Sequence, residues 1–489
     1  MAALRRWSPA VTAGGARNCT RHPSHGRNRG WRSCLARLSA RPTERNIAVT
    51  HRISPRYRRR ASSREGPQRG AASASPDSSK GRTMEITSGD TAWMLTSSAL
   101  VLLMTPGLAL FYGGMVRAKN MLAMLMMNIV AMGVITILWI VVGASLAFSG
   151  NEAGGLIGNL KLTGLKDIGL GNEVFSAYPI PDTVYLMFQL MFAIITPALI
   201  AGAVAERMKF SAWVVFIVIW SLVVYSPMAH WVWGGGFIAT DVKAVDFAGG
   251  LVVHINAGAA ALALVLVLGP RAGWGRQIIR PHSLPLTILG AGLLWFGWFG
   301  FNSGSALGSN GLAGQAFMTT HVAAAVAATA WMLAEATMHG KPTTLGFASG
   351  AVAGLVAITP AAGFVNLMGA VIIGLAAGII CFLALRLKTM FKFDDSLDVI
   401  AVHLVGGILG ALLLGILADA GVNELATGGM EQFGRQAISV VIAFTYSFGV
   451  TFIIAKVLDM TIGIRVTETA EREGLDLSLH EEQAYVMAD

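Results

Sequence analysis

The sequence predicts an all-α membrane protein with eleven transmembrane helices: a 5+5 inverted repeat (helices 1–5 and 6–10) plus a final helix. Three observations predict it. The 489 residues are 54% hydrophobic and only 13% charged, about half the ~25% charged share of soluble proteins. Glycine is abundant, at 57 residues, as suits helices that pack closely in a bilayer. From about residue 92 the chain becomes a series of long apolar runs, each near the ~20 residues that span a bilayer.

Residues 1–83 stand apart. They hold 19 of the 37 Lys and Arg but 3 of the 27 Asp and Glu, so the basic balance of the chain comes from this stretch. The remainder is mildly acidic, and nothing in it suggests nucleic acid as a partner. The stretch has no apolar core of a signal peptide. Its Arg-rich, acid-poor composition resembles a transit peptide and equally resembles sequence upstream of a later start, for which Met84 is the candidate. We expect 1–83 to be a basic, disordered extension, 84–463 a transmembrane domain and 464–489 a cytoplasmic tail. Cys19 and Cys34 fall in the extension and Cys381 in an apolar run, a distribution with no disulfide or metal-ligand spacing.

The apolar runs lie near 92–114, 121–149, 183–205, 210–232, 248–269, 284–303, 312–338, 345–361, 364–387, 399–418 and 436–460. Backbone groups in lipid must be satisfied within their own segment, so runs of this length are helices. Loops after odd-numbered helices contain Arg117, Lys119, Arg207, Lys209, Arg271, Arg276, Arg280, Lys341, Arg386, Lys388 and Lys392; those after even-numbered ones contain Lys161, Lys166, Lys243 and Arg435. Basic loops favour the cytoplasm, which places the N-terminus outside and the C-terminus inside a cell (inner) membrane. That orientation would carry the basic extension across the membrane, which favours a start near Met84.

The repeat rests on two matches. Asp246 and His254 are eight apart in VDFAGGLVVHINAG, and Asp395 and His403 are eight apart in DDSLDVIAVHLVGG, opening helices 5 and 10. ITPA occurs at 195–198 in helix 3 and at 358–361 in helix 8. Five helices per copy is odd, so the second copy must be inverted, which puts a substrate path between the copies near the midplane.

Histidines inside apolar helices are functional candidates by default. His254 and His403, each about two turns into its helix, are expected to meet as a neutral pair, one ring donating and the other accepting, fit to relay a proton or bind a small polar solute. His230 and His321, near helix ends or unmatched, read as structural. Asp246 and Asp395 read as helix caps accepting from orphan amides; a fixed negative charge at Asp246 would also favour a waiting cation. Phe188 and Phe192 share a helix face. Trp233, at the end of helix 4, and Trp298, Phe301 and Ser305, around the end of helix 6, fit an aromatic belt or a cation–π site. No cofactor is implied: nucleotide-binding and hydrolase motifs are missing, and two histidines without a third ligand make a poor zinc site.

These stretches together resemble the ammonium transporter (Amt/Mep/Rh) family, in its bacterial Amt-type form, from Ala92 to Tyr485. The most specific is Asp246-Phe247-Ala248-Gly249-Gly250 followed by His254. TPGLALFYGGMVR from Thr105, FSAWVVF from Phe210, AHWVWGGG from Ala229, GWFGFNSGS from Gly297 and REGLD from Arg472 support it. The resemblance implies a multi-pass homotrimer with one pore per subunit that takes up ammonium, and not an enzyme. It makes Trp233, Phe192 and Ser305 the recruitment site for NH4+, with Asp246 supporting it without contact. Phe192 and Phe301 become the gate, and His254 and His403, beside Trp298, the pore lining. A PII signalling protein is the implied partner of the tail, although Glu481 stands where the family more often has Gly. An ammonium sensor signalling through its tail and an Rh-like neutral gas channel are the alternatives.

Overall fold

The computed structural model describes residues 84–485; the extension at 1–83, with Cys19 and Cys34, lies outside them. The described residues are helical, with only two isolated bridges, Glu152–Ile157 and Met208–Arg465. Among the described residues ten helices are long and apolar enough to cross a membrane: α1 Ser88–Met115, α2 Ala118–Phe148, α3 Asp182–Val204, α4 Phe210–Val242, α5 Gly250–Leu268, α6 Leu284–Ser303, α7 Gly311–His339, α9 Leu367–Met390, α10 Ile400–Leu417 and α11 Met430–Thr461. The eleventh, α8 Thr344–Ile358, is apolar but has 15 residues, about 23 Å of helix. Two short helices, α12 Glu468–Glu473 and α13 Leu475–His480, form the tail.

Sequence and structure differ at several boundaries for local reasons. Helix 5 begins at Gly250 and helix 10 at Ile400, so each histidine lies about one turn in, not two. Helix 4 runs on to Val242 after a break at 234–236. In α3 the ITPA segment continues as helix through Pro197. In α8 its copy ends the helix, and the Pro360 carbonyl accepts the Phe247 N–H at 3.1 Å. Proline lacks a donor and clashes with the preceding turn; α3 tolerates this and α8 stops there.

The repeat is visible in the packing, with α1 against α6 and α5 against α10, each helix on its counterpart. These contacts need small residues because lipid gives no hydrophobic drive between helices. A Cβ on Gly258 would lie 2.6 Å from Leu404 Cβ, and one on Gly290 would lie 2.3 Å from the Phe111 backbone nitrogen. Apolar helix side chains turned outward, such as Ile137, Phe296, Val441 and Ile453, are 55–66% exposed, as lipid-facing positions should be. The centre belongs to α3, 94% buried across its apolar window, and α5, 83% buried.

The interface between α1 and α6 has a direct test. Gly290→Ala forces a backbone shift and is expected to cost about 1–3 kcal/mol. Gly292→Ala on the same helix meets nothing within 4 Å and is expected to be neutral. Thermal unfolding of the purified variants separates them, and equal midpoints would mean that the helices are not in close contact at Gly290.

The loops after α1, α3, α5 and α9 meet at one end of the bundle around Glu206. Its carboxylate accepts from the Arg117 backbone N–H (2.8 Å), Arg117 Nε (3.1 Å), Arg271 Nη1 (3.2 Å) and Asn120 Nδ2 (3.1 Å). Arg271 also grips Asp394 with Nε and Nη2, both at 2.9 Å. Arg207 is fully buried and donates to the carbonyls of Gly269 and Asp394. Three of the eleven basic loop residues are therefore held in an internal network. The tail joins it: Leu475 N–H donates to Asn120 Oδ1 and Ala123 N–H to Asp476 Oδ1, both at 2.8 Å. Gly474 permits this, with φ at +117° and Lys119 backbone 2.7 Å from where a Cβ would sit. Glu481 has φ of +56°, a left-handed conformation that favours glycine.

Candidate functional site

The structure brings the sequence-predicted residues into one column between the two halves. At one end is a cavity of about 340 Å3 whose lining includes Phe188, Phe192, Trp233, Asp246 and Ser305, joined by Tyr178, Tyr185 and Gln189. The Trp233 indole is fixed because its Nε1 donates to the Asp246 carbonyl at 2.9 Å. Phe192 meets it edge-on, ring centres 5.8 Å apart at 82°. Ser305 Oγ donates to the Phe301 carbonyl at 2.8 Å, which leaves its oxygen lone pairs available as acceptors.

Asp246 faces the backbone. Oδ1 accepts the N–H groups of Gly249 (2.8 Å) and Gly250 (2.7 Å); Oδ2 accepts those of Leu251 (2.7 Å) and Val252 (3.2 Å). Gly249, at φ +121°, lets the chain curl so that all four amides converge. Asp395 mirrors this only in part: Oδ2 accepts the Ile400 N–H at 2.7 Å, while buried Oδ1 has no partner. The two halves are thus chemically unequal at matching positions.

Below the cavity Phe192 and Phe301 lie in contact with their rings tilted, ring centres 4.4 Å apart at 40°, and both are 1% exposed. Past them His254 is flanked by Phe301 at 6.1 Å and Trp298 at 5.6 Å, the latter nearly parallel at 22°. Trp298 is oriented by Nε1 donating to Thr359 Oγ1 at 2.9 Å, and Thr359 donates on to the Leu355 carbonyl. His254 and His403 approach with Nδ1 to Nδ1 at 3.2 Å and ring planes 26° apart. One Nδ1 must carry the hydrogen and the other accept it, so the pair shares a single hydrogen bond with two symmetric settings. His254 Nε2 is buried and unpartnered. The space beside the rings is about 10 Å3, lined by Leu108, Phe111, Ile195, Leu199 and Trp298 among others, enough for about one water-sized molecule.

Irregular turns place these side chains. His254, Phe301 and His403 each sit in a wide, five-residue-spaced helical turn, at 250–255, 299–303 and 400–404; such turns re-aim side chains and recur at functional sites. His230, by contrast, is tied to the Ala147 carbonyl at 3.0 Å and Asn151 Oδ1 at 3.1 Å, and His321 lies against Trp295 and Phe299. Neither lines the column. Sequence reasoning missed Tyr178, Tyr185 and Gln189, which carry no spacing signal, and it noted Thr359 only as part of a repeat.

Eleven apolar helices around a narrow column of aromatic and imidazole rings define a polytopic membrane transport protein. The family model described as Ammonium Transporter Family matches residues 92–485. The chain is 51% identical over 434 residues to the ammonium transporter of Mycobacterium tuberculosis, covering 82% of this chain and 91% of the relative. Candida albicans Mep2 superposes with a TM-score of 0.73 and 37% identity over 79% of this chain and 88% of that one. A solved structure described as a Sensor Amt Protein gives 0.75 and 30% identity over 80% and 98%. The chain belongs to the ammonium transporter family, a family of membrane transporters rather than enzymes.

Proposed function

We propose that the chain takes up ammonium by recruiting NH4+ at Trp233, Phe192 and Ser305, deprotonating it, and passing NH3 beside His254 and His403. The observation that carries this reading is the order of groups along one column: a roomy aromatic cavity, a closed Phe192–Phe301 pair, then two imidazoles sharing a hydrogen bond. A cation loses its hydration shell at the cavity, where the Trp233 face, the Phe192 ring edge-on to it and the Ser305 oxygen partly replace water. A bare cation beyond the phenyl pair would face apolar walls at a cost of several kcal/mol, whereas neutral ammonia would not. The shared Nδ1 hydrogen gives a departing proton a route between the rings. Potassium has no proton to shed and is rejected at the same place.

Asp246 supports recruitment indirectly, by fixing the turn that carries His254 and the carbonyl that orients Trp233. We place the protein in the cell (inner) membrane with its N-terminus outside and its tail in the cytoplasm. We assign it a homotrimer with one pore per subunit and a PII signalling protein as partner of the tail. Likeness to a protein described as a sensor keeps ammonium sensing through the tail as the second reading.

The test is the transient current of proteoliposomes pulsed with ammonium and then potassium. Ammonium is expected to evoke current, potassium none, and His254→Ala to lower the ammonium response by roughly 10²-fold, the usual size of a lost proton-transfer group. Equal currents for both ions, or an unchanged current in the variant, would overturn the mechanism. Internal pH change without current would mark a neutral gas channel; silence in both would favour sensing.

A further inference from the structure

We propose that the end of the bundle carrying the tail holds a binding site for a phosphate group, built jointly by the α1–α2 junction, the α5–α6 loop and the tail. A cavity of about 590 Å3 lies there, and Arg117, Lys119, Arg271, Arg276 and Arg472 line it against two carboxylates, Glu468 and Glu471. It is separate from the transport column and faces the side that the basic loops assign to the cytoplasm.

The charges do not cancel. Arg117 and Arg271 are engaged by Glu206 and Asp394. Glu471 is matched by Arg465 at 2.8 Å and by the Ala272 N–H at 2.5 Å, and Glu468 by Arg472. Two cations on the cavity wall are left without a carboxylate among the described residues. Lys119 donates only to the Arg472 carbonyl, and Arg276 forms no ion pair. They come from different loops and line the cavity that Arg472 lines from the tail.

A phosphate group answers this arrangement. It offers several acceptor oxygens and the negative charge that guanidinium forks and an ammonium recognise. The cavity exceeds the size of the group alone, so it has room for a carrier. Trp274 and Gln277 complete the wall as an apolar face and an amide. The carrier is either a soluble phosphorylated molecule or an anionic lipid, whose headgroup fits basic pockets on the cytoplasmic side of membrane proteins. In either case the ligand ties the tail helix α12 to both loops.

The experiment uses the full chain in phosphatidylcholine nanodiscs titrated with inorganic pyrophosphate, beside nanodiscs containing phosphatidylglycerol. Potassium chloride at equal ionic strength controls for screening. The readouts are the unfolding midpoint and amide exchange across 468–476. Ligand is expected to raise the midpoint and slow exchange, and the apparent affinity to fall about tenfold for each of Lys119→Ala and Arg276→Ala. Neither side chain is buried, so both variants are expected to fold; Lys341→Ala serves as a basic control outside the cavity. Response to pyrophosphate in phosphatidylcholine would assign a soluble ligand, and response to phosphatidylglycerol alone a lipid headgroup. No response to either probe, or a response unchanged in both cavity variants, overturns the site.

Discussion

Asp246→Ala is expected to lose the ammonium current and to lower stability by at least about 3 kcal/mol, one of the largest effects of any single change near the column. The size of the effect comes from what the carboxylate holds. Four amides from Gly249 to Val252 converge on it, and all of these residues are buried. Alanine leaves them without an acceptor in a water-poor place, where each orphan group costs about 1–3 kcal/mol. The turn they belong to is the one that aims His254, and the Asp246 carbonyl orients Trp233, so both ends of the column loosen together. Asp246→Asn divides the two parts of the role. Asparagine keeps one oxygen acceptor but sets an NH2 group against the remaining amides and carries no charge. It is expected to recover part of the stability. Unfolding in detergent and proteoliposome current, measured on both variants, give the separation. A stable Asn variant without current would assign a further role to the charge itself; an Ala variant as stable as the parent would refute the capping account.

Much of this site was legible because membranes make ionisable residues expensive. His254 and His403 stood out in apolar runs, their matched Asp spacing revealed the repeat, and the 3.2 Å approach of the rings is what an inverted repeat of that pattern produces. The aromatic positions were legible as candidates but not as an arrangement. Phe192 and Phe301 come from different halves, and only the closed bundle brings their rings together. The wide turns at 250–255, 299–303 and 400–404 leave no sequence mark, because they arise where helix packing absorbs one extra residue per turn. The repeat also misled in detail. Asp395 matches Asp246 in spacing, and Asp398 takes the left-handed turn at the position of Gly249, yet Asp395 accepts from the Ile400 amide where Asp246 accepts from four. Glu206 was invisible for the opposite reason. A single carboxylate in a short basic loop looks solvated, and only the folded chain shows its side chain fully buried.

Glu206→Ala is expected to destabilise the protein by about 3–5 kcal/mol, the usual cost of removing one partner from a buried ionic cluster. The change strands Arg271 and Arg117, whose guanidinium groups lie 3.2 and 3.0 Å from the carboxylate, and frees Asn120, which holds the tail through Leu475. Amide exchange should therefore accelerate first in the tail and loops rather than in the apolar helices. The network also sets an acid limit. Burial alone would raise the Glu206 carboxyl, but the guanidinium groups of Arg271 and Arg117 outweigh it and hold it below the ordinary value. Asp394 is likewise lowered: burial opposes the change, and the hydrogen bonds and charge of Arg271 overcome it. A carboxyl lowered in the folded state stabilises at pH above its unfolded value, near ~4, and that contribution is lost as pH falls through the folded value. The parent is thus expected to keep its tail protected through neutral and mildly acid conditions and to release it in strong acid. In Glu206→Gln the tail should already exchange fast at neutral pH, with a flatter acid dependence. If the Gln variant matched the parent in tail exchange and in pH profile, the cluster would not be what fastens the tail to the loops.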